Sequence, residues 1–253
     1  MTKLDSEWGS SVAKRGFNNE EDIADKFRNW KSDEDAKKWL EIMGYVIKDI
    51  KKIEVENLKR NVKSDIEITI HSPNGIFNEG ISIKRAKKSA NYNQVDKRWV
   101  EKYKEKWDMP QEVCEALKLF VGRNKFRPKD IGMSLDNLKD ERRLYFDELP
   151  KENREALKSF LIENKEIILR DVLKGDKAPT DWILITEIYD NETRWTLRNI
   201  DSAVKELMGD IKITRRGNIK IGKITLQRKG GDNGRETAQM LQFKMRPFDL
   251  VSE

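Results

Sequence analysis

The sequence predicts an α/β fold with a mixed central β-sheet flanked by helices and a β-rich, basic C-terminal region. Three observations lead there. Apolar residues recur at helical spacing from Ile23, switch to strict alternation from Ser64, and alternate with turn glycines from Ile211.

Taken in order, Asn18-Asn19 can cap a helix running from about Glu20 through Trp30, whose apolar face is Ile23, Phe27 and Trp30. A second helix is expected over about Asp33 to Met43, closed by Gly44. From Ser64 the period is two: Ile66, Ile68 and Ile70 point one way, Asp65, Glu67 and Thr69 the other. Ser72 to Gly75 supplies turn chemistry, and Gly80 to Lys84 returns as a strand on which Ser82 and Lys84 share a face. One hairpin therefore brings Asp65, Ser82 and Lys84 to a common polar side.

Beyond the hairpin, Trp99 to about Phe120 reads as helix interrupted near Pro110, and Glu152 to Leu173 as a long helix ended by Gly175. Asp181 to Asp190 is an apolar run suited to a buried strand, a short helix lies around Ser202 to Met208, and Ile211 to Leu226 resembles a β-meander. We expect a catalytic core over 1–190 and a basic β-rich region over 191–253, packed together.

Composition narrows the function. The 253 residues suffice for one large or two small domains. Cys114 is the only cysteine, so no intrachain disulfide forms, which suits a reducing cytosol. The N-terminal stretch has charges where a signal peptide needs an apolar run, and no apolar stretch reaches about 18 residues, so a cytoplasmic chain without a membrane partner is expected. A single histidine, His71, and one cysteine give no material for zinc or Cys-His chemistry, and no Walker motif occurs. The net charge of +6 is concentrated: Lys212 to Arg235 holds eight basic residues against Asp232 alone, a local +7 that leaves the rest at −1. A basic excess confined to one segment suits a polyanion such as nucleic acid.

Asp65, sixteen intervening residues, then Ser82-Ile83-Lys84 follows the frame of the PD-(D/E)xK nucleases, with serine where the middle carboxylate stands. In that chemistry carboxylates hold Mg²⁺ and the lysine orients water and offsets phosphate charge. Asp65, the Ser82 hydroxyl and the Ile83 carbonyl are the candidate metal ligands, and Glu20 or Glu67 is available to compensate for the missing acid. The hairpin fits either a working site or one that has decayed in a DNA-binding protein.

The stretches "KRGFNNEEDIADKFRNW", "KSDI" at Lys63 to Ile66, "YNQVDKRW" at Tyr92 to Trp99 and "TLQRKGGDNGRETAQMLQFK" at Thr225 to Lys244 resemble a family. It is that of the small monomeric type II restriction endonucleases of the PD-(D/E)xK group, such as the compact GCGC-cutting Haemophilus enzymes and, more distantly, MspI. The family carries an amide at the second acid position, and Ser82 departs further. The resemblance implies an Mg²⁺-dependent deoxyribonuclease cutting double-stranded DNA at a short palindrome, GCGC, after the first G. It also implies a monomer or weak dimer, and a cognate DNA methyltransferase in the same cell without stable complex. Asp65, Ser82, Lys84 and Glu20 are the implied catalytic set. Carried over by position, the implied DNA contacts are Tyr92, Asn93 and Gln94 in a polar loop, and Gln227, Arg228, Lys229, Asn233, Arg235, Gln242 and Lys244. A PD-(D/E)xK nuclease of other specificity, or a nicking enzyme, is the alternative within enzymes.

Overall fold

The computed structural model describes residues 19–58, 62–86, 92–127, 134–189, 192–231 and 234–251. Two compact units emerge, interleaved along the chain: 1–91, 173–206 and 250–253 form the first, 92–172 and 207–249 the second. The expected division at residue 190 is a single cut, whereas the observed units exchange the chain more than once.

The first unit is built on a five-stranded sheet with the order β1 (Lys52–Asn57), β2 (Ile66–Ser72), β3 (Gly75–Ala86), β5 (Trp182–Tyr189) and β6 (Glu192–Asn199), where β4 (Asn93–Arg98) belongs to the second unit. All neighbours are antiparallel except β3 and β5, so the sheet is mixed as expected. Helix α1 (19–28) and helix α2 (Glu34–Ile42) cover one face. Their apolar stripes, Ile23, Phe27, Trp39 and Leu40, join Ile66, Ile68, Ile70, Ile81, Ile83 and Leu184 in one core. Trp39 is central to it, 5.1 Å from the Phe27 ring and 5.6 Å from that of Trp195. Asp33 starts α2 by accepting the Ala36 N–H at 2.9 Å.

The alternation from Ser64 is thus used as the sequence implies: the isoleucines are fully buried and the residues between them half-buried. The returning strand is longer than expected, twelve residues from Gly75. It is pinned at Gly80, whose N–H donates to Asp181 Oδ2 at 3.0 Å and whose carbonyl accepts the Asp181 N–H at 2.8 Å. A Cβ at Gly80 would collide with the Pro179 carbonyl and the Ser64 hydroxyl, which explains glycine inside this strand.

The second unit holds an antiparallel sheet in the order β4, β10 (Leu241–Met245), β9 (Ile224–Arg228), β8 (Ile219–Ile221) and β7 (Ile211–Ile213). The expected C-terminal β-region is therefore present. With it go α3 (Val100–Trp107), α4 (Gln111–Val121) and most of α5 (Lys151–Lys174). The break expected near Pro110 falls between α3 and α4, where Asp108 is left-handed at φ 46° and Pro110 caps the next helix. Phe243 packs against Tyr103 at 5.4 Å and Trp107 at 6.0 Å. One further short helix, α6 (Ile200–Leu207), follows β6. No helix among the described residues is long and apolar enough to cross a membrane.

Candidate active site

Strands β2 and β3 part at one defined point. Their last register pair is Ile66 with Ile81, but β3 runs on to Ala86, paired there with β5 alone. Ser82, Ile83 and Lys84 thus lie on a strand edge that β2 no longer covers, and Asp65, just ahead of β2, sits at the opening. Its N–H donates to the Ile81 carbonyl at 2.9 Å, while its side chain turns back over the edge left unpaired by β2. The neighbouring Ser64 is buried, with its N–H on the Ala178 carbonyl at 3.1 Å and its hydroxyl on the Pro179 carbonyl at 3.0 Å, so the approach to Asp65 is fixed.

Three donors converge on Asp65 Oδ2: the Ile83 N–H at 2.6 Å, the Ser82 hydroxyl at 3.2 Å and the Lys84 ammonium at 3.2 Å. Lys84 Nζ also donates to the Ile83 carbonyl at 3.0 Å. The hairpin does bring Asp65, Ser82 and Lys84 together, with the Ile83 carbonyl beside them. Among the described residues no donor reaches Asp65 Oδ1.

Glu20, in the first turn of α1, belongs to the same group. Thr186 on β5 donates its hydroxyl to Asn19 Oδ1 at 3.0 Å, tying the start of α1 beside the register partner of Arg85. Burial pushes the Glu20 carboxyl above its ordinary value, the Asp65 charge adds to this, and the Lys84 ammonium opposes it. Glu20 therefore stands within electrostatic reach of both. Glu67 instead pairs with Gly80 and Glu56 further along the hairpin.

The raised value carries a stability consequence. The protonated form of Glu20 stabilises the fold below pH 4.5, and that contribution is lost as pH rises through the higher folded value. Glu20→Gln should therefore gain stability over the wild type as pH rises from the acid side toward neutrality, while losing cleavage activity. Thermal unfolding across that range checks the first effect, and equal curves for the two proteins would remove Glu20 from the cluster.

The oxygens present suit a hard divalent cation. Among the described residues no group of three or more His, Cys, Asp or Glu stands together. Any such ion would rest on two carboxylates and neutral oxygens, which Mg²⁺ accepts because it keeps several waters.

The second unit presents the other sequence-derived residues on its sheet. Gln242 stands opposite Gln227 and Lys97, and Lys244 opposite Thr225 and Gln94, with a register shift between Phe243 and Lys244. These side chains share a polar face that continues through Lys220 and Lys212, while Leu241, Phe243 and Met245 fill the core on the other. Gln242 is buried, donates Nε2 to Gln94 Oε1 at 2.7 Å, and leaves its own Oε1 without a partner. Asn93 and Gln94 are not in a loop, as expected, but on β4: pairing with β10 satisfies their backbone and overrides a sequence with no apolar period. Asn93, opposite Met245, faces away from the Gln94 side, and Tyr92 is exposed just before the strand.

Arg228 does not share the face of Gln227, because consecutive strand residues point oppositely; it lines a cavity with Arg235. The Lys229 N–H donates to the Met240 carbonyl at 2.9 Å. Asn233 lies outside the described residues. Lys97, Lys220 and Thr225 join the polar face without having been singled out in the sequence. Lys220 and Thr225 alternate with buried neighbours inside the expected meander, whereas Lys97 lies in a strand too polar to recognise.

A solved structure of the restriction endonuclease MspI in complex with its cognate DNA is similar over 96% of this chain and 99% of that one, with a TM-score of 0.58. At 15% identity this shows a shared fold. No curated protein sequence matches the chain. A model of the R.HinP1I restriction endonuclease covers residues 43–251, which takes in Asp65, Ser82, Lys84 and the whole polar sheet face. The chain belongs to the R.HinP1I restriction endonuclease family.

Proposed function

We propose that this restriction endonuclease is an Mg²⁺-dependent type II enzyme that hydrolyses double-stranded DNA at the palindrome GCGC, after the first G. The observation that carries the reading is the meeting of Asp65, Ser82, the Ile83 carbonyl and Lys84 where β2 and β3 part. Asp65, the Ile83 carbonyl, the Ser82 hydroxyl and Glu20 would hold the cation, which supplies Lewis acidity toward the scissile phosphate. Lys84 is aimed by Asp65 and the Ile83 carbonyl, so its ammonium is placed to orient the attacking water and to offset charge growing on the phosphate. Ser82 donates a hydrogen bond to Asp65 and keeps its oxygen lone pairs free, so it can serve where the usual carboxylate is missing.

The polar sheet face supports DNA recognition. Amides such as Gln94, Gln227 and Gln242 can satisfy mixed donor and acceptor edges of bases, and Lys244 can donate to guanine O6 or N7. The unpartnered Gln242 Oε1 is an acceptor waiting for such a donor. Lys212 and Lys220 extend the face with charge suited to phosphates. A cognate methyltransferase in the same cell would protect host sites.

Incubating the protein with unmethylated plasmid, with Mg²⁺ or with EDTA, and sequencing the fragment ends tests the whole reading. Discrete Mg²⁺-dependent fragments with GCGC ends are expected. Fragments at another sequence would overturn the specificity alone. DNA retarded in a gel yet intact with Mg²⁺ would mean a decayed site.

A further inference from the structure

Within the second unit, a cavity of about 390 Å³ is lined by Arg142, Arg143, Arg228 and Arg235, with Asp140 as its one carboxylate. Asp140 is already taken. Arg142 grips it with Nε at 2.8 Å from Oδ1 and Nη2 at 3.1 Å from Oδ2. Arg143 reaches the same carboxylate at 3.8 Å, from Nε to Oδ2, and donates Nη2 to Asn218 Oδ1 at 3.4 Å. Arg143, only 6% exposed, stacks on the Tyr145 ring at 3.8 Å, yet its Nη1 has no hydrogen-bond partner. Arg228 donates Nε to the Ala238 carbonyl at 3.1 Å, and its Nη1 is likewise buried without a partner.

Two buried, unsatisfied guanidinium donors around one space are costly unless something answers them. Burial and the neighbouring charges of Arg142 and Arg143 push Arg228 below its ordinary value, with Asp140 opposing, so the local field is positive. The lining also includes Gly230 and Gly231, both left-handed at φ 66° and 64°, with the Gly230 N–H donated to the Ala238 carbonyl at 3.0 Å. A guanidinium matches a tetrahedral oxyanion through paired N–H groups.

We propose that this cavity is a second ligand site, specific for a phosphate group, whether free or part of a DNA backbone. It is separate from the polar sheet face, because Arg228 and Gln227 point to opposite sides of β9. The site does not depend on the nuclease reading, since it needs neither metal nor cleavage.

Calorimetric titration of inorganic phosphate into the metal-free full chain, at constant ionic strength in chloride, tests it. Saturable binding is expected, weakened about tenfold or more by Arg228→Met and tightened by Asp140→Asn. Thermal unfolding in phosphate-free buffer shows whether each variant folds, and Asp140→Asn, nearly isosteric, keeps the test open if Arg228→Met does not. Repeating the titration with protein saturated by a short duplex separates the sources: displacement of phosphate by the duplex assigns the seat to a backbone phosphate, and undiminished binding assigns it to a free anion. No saturable binding by the wild type, or wild-type affinity in both variants, overturns the proposal.

Discussion

Lys84→Ala is expected to slow DNA cleavage by roughly a thousandfold while leaving duplex binding at the wild-type level. The ammonium is partly buried and fixed from two sides, by Asp65 Oδ2 at 3.2 Å and the Ile83 carbonyl at 3.0 Å. A lysine held this way does not search for its position when substrate arrives, so its charge is in place as the transition state forms. The fold should tolerate the change. Asp65 keeps the Ile83 N–H and the Ser82 hydroxyl, so losing one partner of this mostly buried pair should cost about 1 to 3 kcal/mol, less than the stability of a folded domain. A second effect separates this role from a structural one. Lys84 lowers the Glu20 carboxyl toward its ordinary value, so in the variant Glu20 holds its proton to higher pH. Single-turnover cleavage and duplex binding in chelator, both followed against pH, read the two effects. Cleavage at the wild-type rate would exclude Lys84 from the chemistry.

The parts of this site that the sequence displays are those set by local period. Alternation from Ser64 to Ile70 fixes which side Asp65 takes, and the same rule places Ser82 with Lys84. What alternation does not show is where the two strands part, and that gap is what lets Asp65 cap the Ile83 N–H. Glu20 sits at the start of a helix that the sequence does reveal. Its contact with the hairpin is tertiary, however, and depends on Asn19 meeting Thr186 far along the chain. Strands β1, β4 and β10 escape for a related reason. Lys52–Asn57 and Asn93–Arg98 are rich in charge and amide, so their strand state comes from their sheet partners and not from their own composition. In Leu241–Met245 the alternation is real, but Gln242 is itself buried, which blurs the polar side. The arginine cavity is hidden more deeply still, since Arg142 and Arg143 meet Arg228 only through the fold.

In the proposed mechanism Asp65 has two duties, one toward the backbone and one toward the cation, and a pair of substitutions should separate them. Asp65→Ala removes the acceptor of the Ile83 N–H and leaves Ser82 and Lys84 without their shared partner. An unmade bond at a buried donor costs about 1 to 3 kcal/mol, so this variant should unfold at lower denaturant. Asp65→Asn keeps an oxygen for the Ile83 N–H but not the charge, so it should recover much of that stability. Cleavage should fall in both by roughly a thousandfold or more, because each removes a carboxylate from a site that has already lost one to Ser82. The same loss of charge should let Glu20 return toward its ordinary value, since Asp65 is one of the causes of its rise. Denaturant unfolding, cleavage and the pH dependence of stability together decide the case. An Asp65→Asn protein that folds and still cuts at the wild-type rate would confine Asp65 to holding the strand edge.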